Sequence, residues 1–293
     1  MTDLVLSLLF NGFVVGCRYL VAVLFFTLVQ TSIEVIHIAY GGVIVLAGCA
    51  AFITIKLGLP IWLALLMAML SGVVLSTVME LVIYRPLRRK QASNMIVMLV
   101  SLGMLYIIQS SADLILGGLT SRLRPEMALS FSLGPLVITD AAIWTMIGAT
   151  VVSISLLFLL YGTSIGRSLR ALSSNRQLAR SAGIDVNRLA LVVFSLSGIG
   201  AGLFVILEGL DLGIRAYMGF DIALISAFAT IIGGFGSLSG AALAAVLIGM
   251  AKDTFPLYFA TVWQQLLLYL CIFMFMLAKP RGFFGRKVWK AEL

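Results

Sequence analysis

Few side chains in this sequence are able to do chemistry, and most of them lie within or beside long apolar runs. The ionisable residues in or near those runs are Arg18, Glu34, His37, Glu80, Asp113, Glu208, Asp211, Lys252 and Asp253. A charge at the centre of a bilayer costs about 2.5–3.5 kcal/mol on insertion scales, so such residues pair with one another or take part in transport. Arg18 lies deepest in its run, and we interpret it as paired within a helix bundle rather than functional. Asp113 is the modest candidate for a buried proton carrier.

The sequence lacks the motifs of the common hydrolytic and metal sites. It contains no G-x-x-x-x-G-K-[ST] phosphate loop and no G-x-S-x-G nucleophile elbow, and a single histidine, His37, excludes a metal site built on paired histidines. Cys17, Cys49 and Cys271 lie in apolar runs without paired spacing. We therefore expect no catalytic residues, no metal site and no cofactor on this chain, which is not itself an enzyme.

The composition places these residues in a membrane. Of the 293 residues, 61% are hydrophobic and 11% are charged, whereas soluble domains carry about 25% charged residues. Only helices and closed barrels satisfy their backbone groups in lipid, and the apolar runs have helix length without strand alternation. The sequence predicts an all-α polytopic membrane protein. The net charge of +8 is interpreted as an orientation signal beside spans rather than as a nucleic-acid surface.

About eight membrane segments are predicted, since a span needs about 20 apolar residues. They are Leu4–Val29, Val35–Ile55, Pro60–Ile83, Met95–Leu116, Ala141–Leu160, Leu189–Leu207, a broken region Ile222–Met250, and Pro256–Ala278. The first run lacks a basic preceding region and a cleavage site, so we expect it to be retained as a span. Residues 1–293 are predicted to form one transmembrane domain.

Three basic clusters predict the orientation of these segments. They follow the third, fifth and last segments, and they are residues 85–90, 162–188 and 279–290. Short basic loops stay on the cytoplasmic side. Counting back from Arg85 places the N-terminus outside and the C-terminus in the cytoplasm.

This count requires the region Ile222–Met250 to cross and return. A single crossing would leave the basic C-terminal cluster outside. Gly233, Gly234, Gly236 and Gly240 lie in the run IIGGFGSLSG, where the chain is free to turn. We expect two short arms, either as half-helices or as a re-entrant pair.

A second glycine-interrupted stretch, Ile38–Gly48, lies in the second segment. Paired broken helices in two halves of a transporter point to its substrate site. On that interpretation His37, Tyr40, Gly41 and Gly42 line a pathway together with Gly233, Gly234 and Gly236. The alternative is that these glycines allow close helix packing, and the sequence does not decide between the two.

The polar segment between Gly162 and Arg188 holds five arginines against one acid, Asp185. Leu169, Leu172, Ala179 and Ala182 follow roughly one helical face, and Gly183 is placed to end that helix. A short basic helix of this kind inserts into a groove on a partner protein or lies on anionic lipid. Periodicity alone leaves both alternatives open.

Five motifs in chain order resemble the branched-chain amino acid family of ABC importer permeases, specifically the shorter of its two permease types. The matching runs are YRPLRR (84–89), GRSLRA with Asn175 and ARSAGI (166–184), FSLSGIGAGL (194–203), IIGGFGSLSGA (231–241) and KPRGFFG (279–285). Each motif is weak alone, and together they cover nearly the whole chain.

The resemblance implies an inner-membrane permease subunit that forms the pathway for branched-chain or related small neutral amino acids or amides. Its partners would be a second permease chain that is different from this one but related to it, two cytoplasmic ATPases that hydrolyse the ATP, and an external solute-binding protein. The 162–188 segment would be the coupling loop that meets an ATPase. Its contact residues would be Gly166, Arg167, Arg170, Ala171, Asn175, Ala179 and Gly183.

One stretch departs from the family pattern. Where the family carries Asn-x-Ala-His-Gly-Glu, this chain has His37-Ile-Ala-Tyr-Gly-Gly42. Either the change alters the cargo, since the wider family also handles urea and short amides, or it is drift in a pathway that makes few specific contacts. The rival function is an ion-coupled secondary transporter of small polar solutes.

Overall fold

A computed structural model describes residues 2–118, 120–123, 130–133, 136–279 and 282–284. Its helices are α1 Thr2–Ile33, α2 Tyr40–Lys56, α3 Ile61–Met79, α4 Arg85–Arg89, α5 Asn94–Leu116, α6 Asp140–Gly162, α7 Ser164–Ser174, α8 Arg176–Ser181, α9 Val186–Asp211, α10 Met218–Gly233, α11 Leu238–Thr254 and α12 Gln264–Ala278. A π-helical turn, Glu80–Tyr84, joins α3 to α4. The predicted all-α polytopic membrane fold is confirmed.

Within the described ranges, six helical stretches are long and apolar enough to cross a membrane. They are Val5–Ile33, Ile61–Arg89, Asn94–Leu116, Asp140–Gly162, Val186–Asp211 and Leu238–Leu257. Three shorter apolar helices, α2, α10 and α12, accompany them. Together they account for the eight predicted segments when the broken region is counted as two helices.

Two predicted boundaries are wrong. The second segment becomes helical at Tyr40 and not at Val35, because residues 34–39 form a non-helical link after α1. The last segment becomes α-helical at Gln264 and not at Pro256. Two 3₁₀ turns, Phe255–Leu257 and Thr261–Trp263, precede it, and Pro256 lies in the first of them, where its missing N–H is tolerated.

Helix α1 forms the centre of the bundle. Its most apolar window is 83% buried, against 22–33% for the spans built on α3, α5 and α6. It packs against α6, α9, α10 and α11. The peripheral helices therefore carry the apolar outer surface, as at Leu114 and Phe158, which are 88% and 70% exposed.

Helices α3 and α9 cross at two glycines. A Cβ atom added to Gly198 would collide with the backbone of Gly72 and Val73, and one added to Gly72 would collide with the carbonyl of Gly198. Small residues let membrane helices approach closely enough for backbone contact. This crossing fixes the outer helix α3 on the buried helix α9.

The region 222–250 crosses the bundle and returns, as predicted. Helices α10 and α11 pack together, and the turn between them, 234–237, lies beside Phe283 and Phe284, which follow α12. At the opposite end Gln265 of α12 donates to Asp221 of α10 at 2.9 Å. The arms are not both short, because α11 and its 3₁₀ extension reach 20 residues.

A small hairpin closes the end of the bundle where α6 begins. Strand β1, Ser130–Leu133, pairs antiparallel with β2, Leu136–Thr139, with Ser130 opposite Thr139. Thr139 then caps α6 by accepting a hydrogen bond from the Ala142 N–H at 3.2 Å. The hairpin lies in the loop predicted to face outward.

Candidate coupling segment and pathway residues

The coupling segment, residues 162–188, contains two helices and not the single helix expected from its pattern. Asn175 separates α7 from α8 in an extended conformation, and its side-chain oxygen accepts hydrogen bonds from the N–H groups of Gln177 and Leu178, both at 3.0 Å. This N-cap starts a new helix. Gly183, with φ of +81°, follows α8 and ends it, as predicted.

One face of the coupling segment packs against the bundle. Leu169, Leu172 and Ala179 share the predicted helical face and are buried within this chain, whereas the pattern predicted that this face meets a partner groove or lipid. Ala182 is exposed because it follows the end of α8, so its assignment to that face is wrong. Gly166 is also buried, where a Cβ atom would meet the carbonyls of Leu159 and Leu160.

The remaining predicted contact residues lie on the other side. Arg167, Ala171, Asn175 and Gly183 are exposed, whereas the guanidinium of Arg170 is partly covered and lies 4.8 Å from the centre of the Tyr161 ring. Two of the seven predicted residues, Gly166 and Ala179, thus attach the segment to this chain. The other five form a basic outer surface of the kind that a docking loop needs.

Arg176 joins the coupling segment to α1, a contact that the sequence pattern did not indicate. Its Nη1 donates to the carbonyl of Ile33 at 3.3 Å and lies 3.8 Å from the carboxylate of Glu34. Burial has the largest effect on the pKa of Arg176 and lowers it. The charge of Glu34 raises this pKa, and the charges of Arg180 and Arg88 lower it. Tyr84, just before the 85–90 cluster, is bonded to His37, three residues after Glu34, which places two of the basic clusters at one end of the bundle.

The third basic cluster is described only in part. Lys279 and residues 282–284 are described, whereas Arg281, Arg286, Lys287 and Lys290 lie outside the described residues. The described part packs beside the turn after α10, because the Phe283 and Phe284 N–H groups donate to the carbonyls of Ile232 and Gly233 at 2.8 and 3.0 Å.

His37 lies in a closed polar and aromatic cluster. It is 0% exposed, and its Nδ1 is 2.7 Å from the hydroxyl of Tyr84. The rings of Tyr84 and Phe194 lie with centroids 5.2 and 5.0 Å from the imidazole. Tyr84 in turn donates to the Oγ of Ser101 at 2.9 Å. The cluster joins the α1–α2 link to the π-helical turn and to α5.

Tyr40, Gly41 and Gly42 are also enclosed within this chain. Tyr40 is 0% exposed. A Cβ atom on Gly41 would collide with the carbonyl of Gly219 at the start of α10, and one on Gly42 would lie 3.1 Å from the side chain of Ile108. Close packing of α2 against α10 and α5 explains both glycines, in agreement with the packing alternative.

The second glycine set lies at the far end of α10. Gly233 packs against Gly240 and Ala241 at the start of α11, and Gly234 and Gly236 have φ of +98° and +88°, which favours glycine. Gly219 and Gly233 are 14 positions apart in α10, which corresponds to about 21 Å along the helix axis. The two glycine sets therefore meet opposite ends of one helix, and their common role in a pathway stays a prediction.

The deep charge Arg18 pairs within the bundle, as interpreted from the sequence. Its Nη1 donates to Asp211 at 2.5 Å and lies 3.6 Å from Glu208, and the arginine is 2% exposed. Asp113 accepts a weak hydrogen bond from the Tyr217 hydroxyl at 3.3 Å. Among the described residues, no group of three or more His, Cys, Asp or Glu side chains is placed to hold a metal ion.

Comparisons with known proteins agree with these features. Residues 8–277 match a family model described as the branched-chain amino acid transport system permease component. The chain is 24% identical to the high-affinity branched-chain amino acid transport system permease protein LivH of Escherichia coli K12, and 27% identical to its counterpart BraD of Pseudomonas aeruginosa. Each alignment covers 96% of both proteins.

A solved structure shares the fold. It is PsaBC from Streptococcus pneumoniae in complex with Fab, and the similarity has a TM-score of 0.51 over 96% of this chain and 91% of that one. At 16% sequence identity this similarity supports a shared fold of the helix bundle and nothing more.

Proposed function

The chain belongs to the branched-chain amino acid transport system permease family, and we propose that it imports such amino acids as the membrane subunit of an ATP-driven complex. The observation that carries the proposal is the family match over residues 8–277, which includes the apolar helices and the coupling segment. An enclosed bundle with a basic outer loop at one end fits a subunit whose energy comes from another chain.

The proposed complex follows from the sequence and from the position of the coupling segment. Two ATPases would bind on the cytoplasmic side, one of them at α7 and α8, and would hydrolyse the ATP, so that this chain needs no cofactor. A second, related permease would complete the pathway across the bacterial inner membrane. A solute-binding protein would deliver the cargo at the opposite face, where the N-terminus lies.

Branched-chain amino acids are the cargo that the relatives favour. The three departures from the family run are His37, Tyr40 and Gly42. His37 and Tyr40 are enclosed within the chain, and Gly42 packs against α5. Substitutions at such positions alter packing inside the subunit and leave its surface unchanged. This supports drift rather than a new cargo, with selection left to the solute-binding protein.

Uptake into proteoliposomes tests the proposal. We expect the complete complex, supplied with its solute-binding protein, to accumulate leucine only when its ATPases have ATP. Excess isoleucine or valine should reduce that uptake, whereas acetamide and urea should not. Leucine uptake by this chain alone without ATP, driven by an ion gradient, would contradict the proposal and favour a secondary transporter.

A further inference from the structure

The link between α1 and α2, residues 34–39, is held by the coupling segment at one end and by the bundle at the other. We propose that Arg176 is a positioning residue that transmits movement of the coupling segment through this link to the start of α2. The inference rests on the proposed function, because the movement would come from the ATPases. It concerns how the loop acts on the bundle and not whether an ATPase binds there.

The first contact in this path is between Arg176 and the end of α1. The Ile33 carbonyl that accepts from Arg176 belongs to the last turn of α1, where carbonyl groups have no partner within the helix. The negative end of the helix dipole also favours a guanidinium there. Since Arg176 is the first residue of α8, a shift of α8 displaces its attachment to α1.

Glu34 is the point where the chain is strained. Its φ is +59°, in the left-handed region, where the Cβ of an L-residue comes too close to the following carbonyl oxygen. Its N–H still donates to the Gln30 carbonyl at 2.9 Å, so the residue occupies the position after a helix where glycine is usual. A strained conformation of this kind persists only where the surrounding structure holds the residue in place. Arg176, beside the carboxylate, is one of those surroundings.

The far end of the link is fixed by two hydrogen bonds to other elements. His37 is bonded to Tyr84, and the Ala39 N–H donates to the Oγ of Ser101 at 2.8 Å. Because Tyr84 is bonded to the same Ser101 oxygen, the link, the π-helical turn and α5 share one buried network. A displacement of the link therefore acts on the start of α2, on the π-helical turn and on α5 at once.

The π-helical turn, Glu80–Tyr84, gives this network a second irregular element. Glu80 is fully buried and forms an ion pair with Arg88, and π-helical turns within helices are frequent at functional sites. Tyr84, the last residue of this turn, is bonded to His37, three residues after the left-handed residue Glu34. The path from Arg176 thus passes through two departures from regular helix before it reaches α2.

The test compares Arg176→Gln with Arg180→Gln in the reconstituted complex. Arg180 lies in the same helix and is exposed, so the control removes the same charge without touching the link. We expect Arg176→Gln to bind the ATPases and hydrolyse ATP as the wild type does. The number of leucine molecules imported per ATP should fall by about 2- to 30-fold, and Arg180→Gln should leave that ratio unchanged.

A second variant, Tyr84→Phe, removes the hydroxyl bonded to His37 and keeps the ring. It should lower the same ratio, and the double variant should be no worse than the stronger single one, because both act on one path. Multiplying effects would overturn the proposal. So would an unchanged ratio in Arg176→Gln, or loss of ATPase binding in it alone, which would make Arg176 a docking residue. All three results leave the proposed function standing. That function fails only if the wild-type complex shows no ATP-driven uptake.

Discussion

Arg18 shows how a single buried charge is tolerated in this bundle. Its guanidinium is enclosed between α1 and α9, with Asp211 at 2.5 Å and Glu208 at 3.6 Å. Glu208 is itself buried, so removal of the arginine would take its paired cation from a carboxylate in a medium of low dielectric constant, with Lys252 left as a more remote positive charge. The three residues therefore hold the end of α9 against α1.

We expect Arg18→Met to lower the free energy of unfolding in detergent by about 3–5 kcal/mol, seen as a lower thermal midpoint. Arg188→Met is the matched control, because Arg188 pairs with Asp185 at the surface, where its side chain is 88% exposed. That change should cost about 0–1 kcal/mol. Equal midpoints for the two variants would show that the buried ion pair does not stabilise the bundle.

Among the helices, small residues determine how closely two helices pack against each other. Gly72 and Gly198 bring α3 and α9 into backbone contact, and Gly41 and Gly219 do the same for α2 and α10. Two glycine sets that suggested a pathway from sequence are explained in the structure by packing and by a turn. The coupling segment obeys the same local rules, since Asn175 caps α8 and Gly183 ends it.

Gly198→Leu should destabilise the α3–α9 crossing by about 1–3 kcal/mol, the usual cost of forcing extra volume into a packed site. Gly103→Leu is the control, since Gly103 lies within α5 with open space around its Cα, and leucine favours helix there. Unfolding in detergent followed by circular dichroism measures both. A loss of stability in Gly103→Leu as large as in Gly198→Leu would contradict the packing argument.

For the whole molecule, the structure places the coupling segment, α4 and the turn after α10 toward one end of the bundle, and the hairpin and the α2–α3 loop toward the other. Arg176 contacts the end of α1, and Tyr84, just before α4, is bonded to His37, just after α1. The Oγ1 atoms of Thr230, near the end of α10, and Thr27, near the end of α1, are 2.7 Å apart. Which end faces the cytoplasm is predicted from the basic clusters.

Thiol labelling in intact cells tests that orientation. With the native cysteines replaced by alanine, Leu57→Cys, at an exposed position after α2, should react with a membrane-impermeant reagent. Ser173→Cys, exposed in α7, should react only after the cells are permeabilised. The reverse pattern would place the coupling segment outside and would contradict the ATPase-docking proposal.

The sequence by itself determined the features that depend on local chemistry. Apolar runs predicted the spans, the glycines at 233–236 predicted the turn between α10 and α11, and the polar segment 162–188 predicted a helical loop that ends at Gly183. These predictions succeed because hydropathy, helix capping and backbone freedom depend on residues that are close together in the sequence. The start of α2 at Tyr40 was missed, because residues 35–39 are apolar apart from His37 and their non-helical form depends on distant partners.

Only the tertiary structure decided which polar side chains meet. His37 contacts Tyr84, Arg176 contacts the end of α1, and Gly41 packs against α10, across 47 to 178 residues of chain. Such pairs arise from the way helices of similar apolar composition pack together, and in lipid that packing depends on shape and hydrogen bonding rather than on hydropathy. The pattern of the sequence therefore indicated residues 162–188 as a candidate coupling segment, and the packing showed what those residues are attached to.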